Sequence, residues 1–99
     1  MLLVINILEH SIRLSNNITF FPGIVFGKLF ADQPEEEMER TIKVNLLGVM
    51  YLCKMVFEDM VNNYGHIVNM SSTAGIMTGG KIADYCASKF GVRGLTNGM

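Results

Sequence analysis

The sequence predicts an α/β fold, a parallel sheet segment covered by helices in a single domain. Three stretches carry that prediction. Ile67, Val68 and Met70 form an apolar run bounded by Gly65 and by Ser71-Ser72, which suits a strand covered on both faces. Ile82 to Thr96 carries helical signals, with Asp84 in the first turn and Asn97-Gly98 as a stop. Pro34 to about Val61 reads as a longer helix whose second half is apolar around most of its circumference.

Taken in order, residues 1–17 are an unassigned lead-in: Leu2 to Leu8 fits a strand or a helix turn, and Ser15-Asn16-Asn17 a loop. Ile18 to Phe21 reads as a strand closed by Pro22-Gly23, and Gly27 to Asp32 as a connector. Asp32 is a reasonable N-cap, Pro34 suits a first helical position, and Glu35, Glu36 and Glu37 lie near the positive end of the helix dipole. The helix, straight or kinked, ends at Asn62-Asn63-Tyr64-Gly65.

At about 100° per residue, Lys43, Lys54 and Glu58 gather on one narrow polar stripe of that helix. So little polar surface implies burial on more than one side, against the sheet and against a partner subunit. Asn45 lies almost opposite the stripe, and a buried amide needs partners. It reads either as a helix-kink residue satisfied by backbone and water or as a functional group. Gly79-Gly80 gives a flexible approach to the last helix. Gly91 and Gly94 each weaken it by about 1 kcal/mol relative to Ala, which close helix packing would offset. Met50, Met55, Met60, Met70 and Met77 read as adaptable core filling.

The totals set bounds. A chain of 99 residues holds one domain at most. Hydrophobic residues make up 49% and charged residues 17%, apolar for so short a chain and like the middle of a larger core. A net charge of −1 gives no reason to expect nucleic acid or an anionic membrane as partner. Cys53 and Cys86 fall in predicted helices without metal spacing, and His10 and His66 are isolated, so we expect reduced thiols and no metal site. No run reaches the roughly 18 apolar residues of a membrane span, and Met1 to Leu8 lacks the basic start of a signal peptide.

The chemistry lies in three side chains. Tyr85 and Lys89, four apart, share one helix face. Ser72 stands at the end of the strand, thirteen positions before Tyr85 (85 − 72). Removing a hydride from an alcohol also requires removing its hydroxyl proton. A free phenol keeps its own proton to about pH 10. An ammonium one turn away favours the phenolate, which then serves as a base nearer neutrality. A serine hydroxyl at the strand end can hold the substrate oxygen against the phenol.

Tyr followed by Lys at the fourth position means little alone. The combination with Gly65-His66-Ile67-Val68-Asn69-Met70-Ser71-Ser72 and Tyr85-Cys86-Ala87-Ser88-Lys89 resembles the short-chain dehydrogenase/reductase family over about residues 18–99. The resemblance implies a partial Rossmann-like doubly wound parallel sheet, about strands four and five with the helices after them. It implies Tyr85 as general acid/base, Lys89 as its ammonium and a ribose anchor, and Ser72 as holder of the substrate oxygen. Asn45, in Lys43-Val44-Asn45-Leu46, matches the family's fourth catalytic member, which holds a water in a proton relay. Gly23 aligns with the glycine of the family's N-N-A-G motif, which faces the cofactor; Phe20, Phe21 and Pro22 stand where that motif has Asn, Asn and Ala.

The implied cofactor is NAD or NADP, bound in a full-length parent. The family's T-G-x-x-x-G-x-G turn does not occur in this chain, where Gly23 and Gly27 are the only glycines before residue 48. The chain is therefore expected to be a fragment, a truncated product or an incomplete reading of a longer gene, and marginal in stability by itself. Asn63 to Val68 and Asp84 to Phe90 look most like the retinol dehydrogenase and type 11 17-beta-hydroxysteroid dehydrogenase group. That likeness implies a small lipid alcohol or ketone as substrate, and the endoplasmic reticulum or lipid droplet surface as location, against a cytoplasmic one for this chain alone. The family also pairs its two helices with their copies, which implies a homo-oligomer. The alternatives are an inactive truncated chain or a helix-pair module that binds a full-length relative.

Overall fold

The computed structural model describes residues 12–14, 17–20 and 23–99, with side chains from residue 23 onward. Strands β1 (Ile12–Leu14) and β2 (Asn17–Phe20) come first. A short 3-10 turn at Phe30–Asp32 precedes α1 (Glu35–Ile42), which passes through a π turn (Lys43–Leu47) into α2 (Gly48–Asn62). Strand β3 (His66–Asn69), a 3-10 turn at Thr73–Gly75 and helix α3 (Ala83–Gly98) complete the order. Readings that fall on Leu2 to Leu8, Ser15, Asn16, Phe21 and Pro22 lie outside the described residues.

The sheet has the order β1-β2-β3. β2 and β3 are parallel, with Ile18 opposite Ile67, as a strand-helix-strand crossover requires. β1 runs antiparallel to β2, so the described sheet is mixed rather than wholly parallel, and Asn17 opens β2 instead of closing a loop.

The two expected helices are present, with three local corrections. Asp32 is not the N-cap: it ends the 3-10 turn, and Pro34 occupies the cap position with extended backbone and no side-chain bond. The residue before a proline is pushed to extended backbone, and Gln33 is extended (φ −82°, ψ 122°), so the helix begins at Glu35. The kink is a π turn in which the Gly48 N–H donates to the Lys43 carbonyl, five residues back. Gly91 does allow close packing, since a Cβ there would lie 2.7 Å from Leu46 Cδ2, but Gly94 faces open space.

The core forms where α2 and α3 cover one face of β3. Val49, Leu52, Cys53, Met60 and Val92 are buried together, flanked by Leu46, Val56, Ile67 and Leu95. Residues 49, 52, 53, 56 and 60 recur at helical spacing, so one stripe of α2 supplies most of this core. Among the described residues β3 is covered on that face only: Val68 and Met70 point the other way and are exposed, against the expectation of a strand buried on both faces. Of the five methionines read as core filling, only Met60 is buried.

α2 ends as Asn62-Asn63-Tyr64-Gly65 predicts. The Gly65 N–H donates to the Met60 carbonyl at 2.7 Å and the Tyr64 N–H to Val61 at 3.5 Å, the paired closure that needs a left-handed residue. Tyr64 takes that conformation (φ 52°) with its side chain 92% exposed. A left-handed conformation costs a residue with a Cβ about 1–2 kcal/mol. Tyr64→Gly loses no packing and is expected to raise stability by about 0.5–1 kcal/mol, after the extra chain entropy of glycine is subtracted. A urea midpoint that falls instead would refute this reading of the turn.

Candidate active site

Helix α3 carries the two predicted partners. Lys89 is 3% exposed, and its ammonium sits 5.7 Å from the centre of the Tyr85 ring, within cation–π range. The Lys89 Nζ donates to the Met70 carbonyl at 3.4 Å, which ties the amine to the end of β3. A Cβ on Gly23 would lie 3.7 Å from the Lys89 Nζ, so the backbone after β2 passes against the amine. Gly23, Tyr85 and Lys89 thus meet in one place, although Gly23 is 62 residues from Tyr85 (85 − 23).

Asn45 is 0% exposed and sits in the π turn. Its Oδ1 accepts the Ile24 N–H at 2.8 Å, while its Nδ2 donates to the Ile24 carbonyl at 2.9 Å and to the Ser88 Oγ at 3.2 Å. Both amide protons are used by protein atoms. The side chain clamps the segment after β2 to α3, the partners that burial of an amide demands. The Ser88 Oγ in turn donates to the Tyr85 carbonyl at 2.7 Å, so the clamp reaches the helical turn that bears the phenol.

Ser72 is half-buried and caps the Thr73–Gly75 turn: its Oγ accepts the Ala74 N–H at 3.2 Å. A hydroxyl that accepts still has a proton to donate. Ser71, which sequence reasoning treated only as a strand boundary, donates its Oγ proton to the Lys89 carbonyl at 3.1 Å. Gly75 sits against both, since a Cβ there would collide with the Ser71 Oγ and lie 3.1 Å from the Lys89 carbonyl oxygen. Ile24, Ser71, Gly75 and Ser88 are therefore parts of the site that spacing did not reveal. The Asx and Ser residues among and around them look the same in sequence whether they face solvent or a neighbouring helix.

Burial pushes the Lys89 ammonium below its ordinary value of 10.5. The folded chain then binds this proton less tightly than the unfolded chain does. Stability gains from Lys89 as pH rises from the lowered folded value to about 10.5, and below that window the cost of the buried charge is present in full. Lys89→Met keeps the length of the side chain and removes the charge. The variant is expected to be more stable than the parent at pH 7, with the difference shrinking toward pH 10.5; equal urea midpoints across that range would contradict it.

Burial also raises the Cys53 thiol, partly offset by its hydrogen bond to Asn69. Cys53 and Cys86 are both free and buried. No group of three or more His, Cys, Asp or Glu that could hold a metal occurs among the described residues, and none of their helices is long and apolar enough to cross a membrane.

Comparison with known proteins adds three findings. A family model described as short chain dehydrogenase matches residues 14–99. Epidermal retinol dehydrogenase 2 of Mus musculus is 40% identical over 78 residues, which are 78% of this chain and 25% of the relative. The chain therefore spans about a quarter of that relative's length. Among solved structures, a 4-hydroxyisoleucine dehydrogenase complexed with NADH and succinate is 28% identical with a TM-score of 0.79, over 85% of this chain and 37% of that one. The structure of ElxO with NADP bound is 27% identical with a TM-score of 0.79, over 84% and 34%. With its Tyr85–Lys89 pair on α3 and the family model covering residues 14–99, the chain belongs to the short-chain dehydrogenase family and is retinol dehydrogenase-like.

Proposed function

We propose that the chain is the central part of an NAD(P)-dependent oxidoreductase that interconverts a lipid-type alcohol, retinol- or steroid-like, and its carbonyl. The observation that carries this reading is the buried Lys89 ammonium set between the Tyr85 ring and the Gly23 backbone. β2 and β3 are then the fourth and fifth strands of a doubly wound sheet, and residues 18–99 one partial nucleotide-binding domain.

The site residues divide the work in this reading. Tyr85 takes the hydroxyl proton of the alcohol and returns it in the reverse direction. Lys89 places its charge beside the Tyr85 ring and offers its N–H groups to ribose hydroxyls. Ser72 donates its proton to the substrate oxygen. Asn45 holds the Gly23-Ile24 backbone at the site and lies within the chain of groups that would carry the proton outward, Ser88 next to it. Gly23, Tyr85 and Lys89 would hold the dinucleotide, and the fit is physical: a backbone without a Cβ beside a buried cation leaves room and charge for a polyhydroxyl ligand. When bound, NAD or NADP supplies the hydride acceptor.

A chimera tests the proposal. The 78 residues that align with mouse epidermal retinol dehydrogenase 2 replace the matching segment of that protein, and retinol oxidation with NAD or NADP is followed by absorbance. Activity in the chimera supports the reading, whereas a folded chimera that binds the dinucleotide and oxidises no alcohol removes it. A fluorescent fusion of the same chimera would report the proposed endoplasmic reticulum or lipid droplet location.

A second reading is favoured by one feature. Leu47, Met50, Tyr51, Phe57, Leu95 and Met99 line an apolar groove of about 620 Å³ between α2 and the end of α3. Such a face suits a helix-pair contact with a second copy or a full-length relative. Sedimentation of the chain alone and with that relative distinguishes the cases: a monomer in both mixtures excludes it.

A further inference from the structure

The segment of residues 23–33 crosses from the end of β2 to the start of α1 and is held at three points. Its beginning is clamped by Asn45, through both backbone groups of Ile24. Its middle is tied by the Lys28–Glu37 ion pair. Both of those anchors lead to the α1–α2 helix. Its end is tied differently: the Gln33 Nε2 donates to the Asp84 Oδ2 at 2.7 Å, across 51 residues.

Gln33 and Asp84 are each 8% exposed. A buried glutamine against a buried carboxylate is a charge-assisted bond, stronger than a neutral one and costly to break where water cannot replace either partner. Asp84 stands in the first turn of α3, one residue before Tyr85. The bond therefore joins the far end of the segment to the turn that carries the phenol. The near end of the same segment, at Gly23, lies over the Lys89 amine.

We propose that Gln33 is a positioning residue of the site: its bond to Asp84 closes the 23–33 segment onto the first turn of α3 and so keeps Gly23 seated over Lys89. This rests on the oxidoreductase reading for its purpose, but not for its test. Among the described groups, the amine faces the Met70 carbonyl, the Tyr85 ring and the Gly23 backbone. Asp84 is five residues before Lys89, about 140° round the helix, so its charge acts on the amine less directly than its bond acts on the segment.

Competitive labelling of the 99-residue chain with trace acetic anhydride, read by mass spectrometry from pH 7 to 11, gives the proton affinity of each lysine. In the parent, Lys89 is expected to label with a midpoint below the ordinary lysine value of 10.5. Gln33→Ala loosens the cover, lets water reach the amine and is expected to move the Lys89 midpoint up by about half a pH unit, with Lys43 and Lys54 unmoved. The reversed pair, Gln33→Glu with Asp84→Asn, keeps the net charge and the bond with donor and acceptor exchanged, and is expected to restore the parent midpoint.

Far-UV circular dichroism checks the fold of each variant, and if Gln33→Ala fails to fold, the reversed pair decides. An unmoved Lys89 midpoint in folded Gln33→Ala, or a reversed pair that folds and stays shifted, overturns the proposal. An inactive chimera together with the expected labelling pattern would instead remove the oxidoreductase reading and leave the positioning of Lys89 intact.

Discussion

Tyr85→Phe is expected to lower alcohol oxidation in the chimera by about 10²–10⁴-fold, the usual contribution of a positioned general acid/base. The substitution removes one oxygen and keeps the ring that lies 5.7 Å from the Lys89 amine. Stability should therefore stay within about 0.5 kcal/mol of the parent. Dinucleotide affinity should fall far less than the rate, because Lys89, Gly23 and the Tyr85 ring remain. Single-turnover measurement of hydride transfer, with cofactor affinity determined separately, separates these effects. A Phe variant with undiminished hydride transfer would mean that another group takes the proton and that Tyr85 is a packing residue.

The second large effect concerns folding. Asn45→Ala strips the partners from the Ile24 N–H and the Ile24 carbonyl and takes from the Ser88 hydroxyl one of its two bonds. Each buried polar group left without a partner costs about 1–3 kcal/mol, so a total loss of about 2 kcal/mol or more is expected. Against the 5–15 kcal/mol typical of whole domains, that is a large share. Asn45→Asp sharpens the test. It is nearly the same shape, but it replaces two donors by an acceptor facing the Ile24 carbonyl. It should destabilise at least as much as the alanine. If the aspartate variant keeps the parent urea midpoint, hydrogen-bond donation by Asn45 does not hold the segment in place.

The two predictions address different layers of one site. Tyr85 and Lys89 supply charge and proton, while Asn45, Ser88, Gln33 and Asp84 hold the backbone that brings Gly23 to them. Asn45 lies in the π turn and is fully buried. An undistorted helix would present residue 45 at a different angle to α3, since a π turn shifts the register of everything beyond it.

The legible part of this protein was its local part. Periodicity of apolar residues placed the α1–α2 helix and α3 to within a few residues, because an amphipathic helix is written every three or four positions. The end of α2 at Asn62-Asn63-Tyr64-Gly65 and the shared face of Tyr85 and Lys89 needed no information from beyond one helical turn. Family resemblance over residues 18–99 carried the identification further than any physical pattern could.

What only the tertiary structure decided were the partners. Asn45 was marked as an amide needing bonds, but nothing near it in sequence names Ile24 or Ser88, which lie 21 and 43 residues away. Asp84 reads as a helix-dipole residue and Gln33 carries no sequence signal at all, yet the fold brings them within 2.7 Å. The direction of β1 and the bare second face of β3 were equally invisible, because alternation tells which residues share a face but not what lies against it. Hydrophobic periodicity is a property of one segment, whereas a hydrogen bond across the fold belongs to two segments and exists only once packing has set the distance between them.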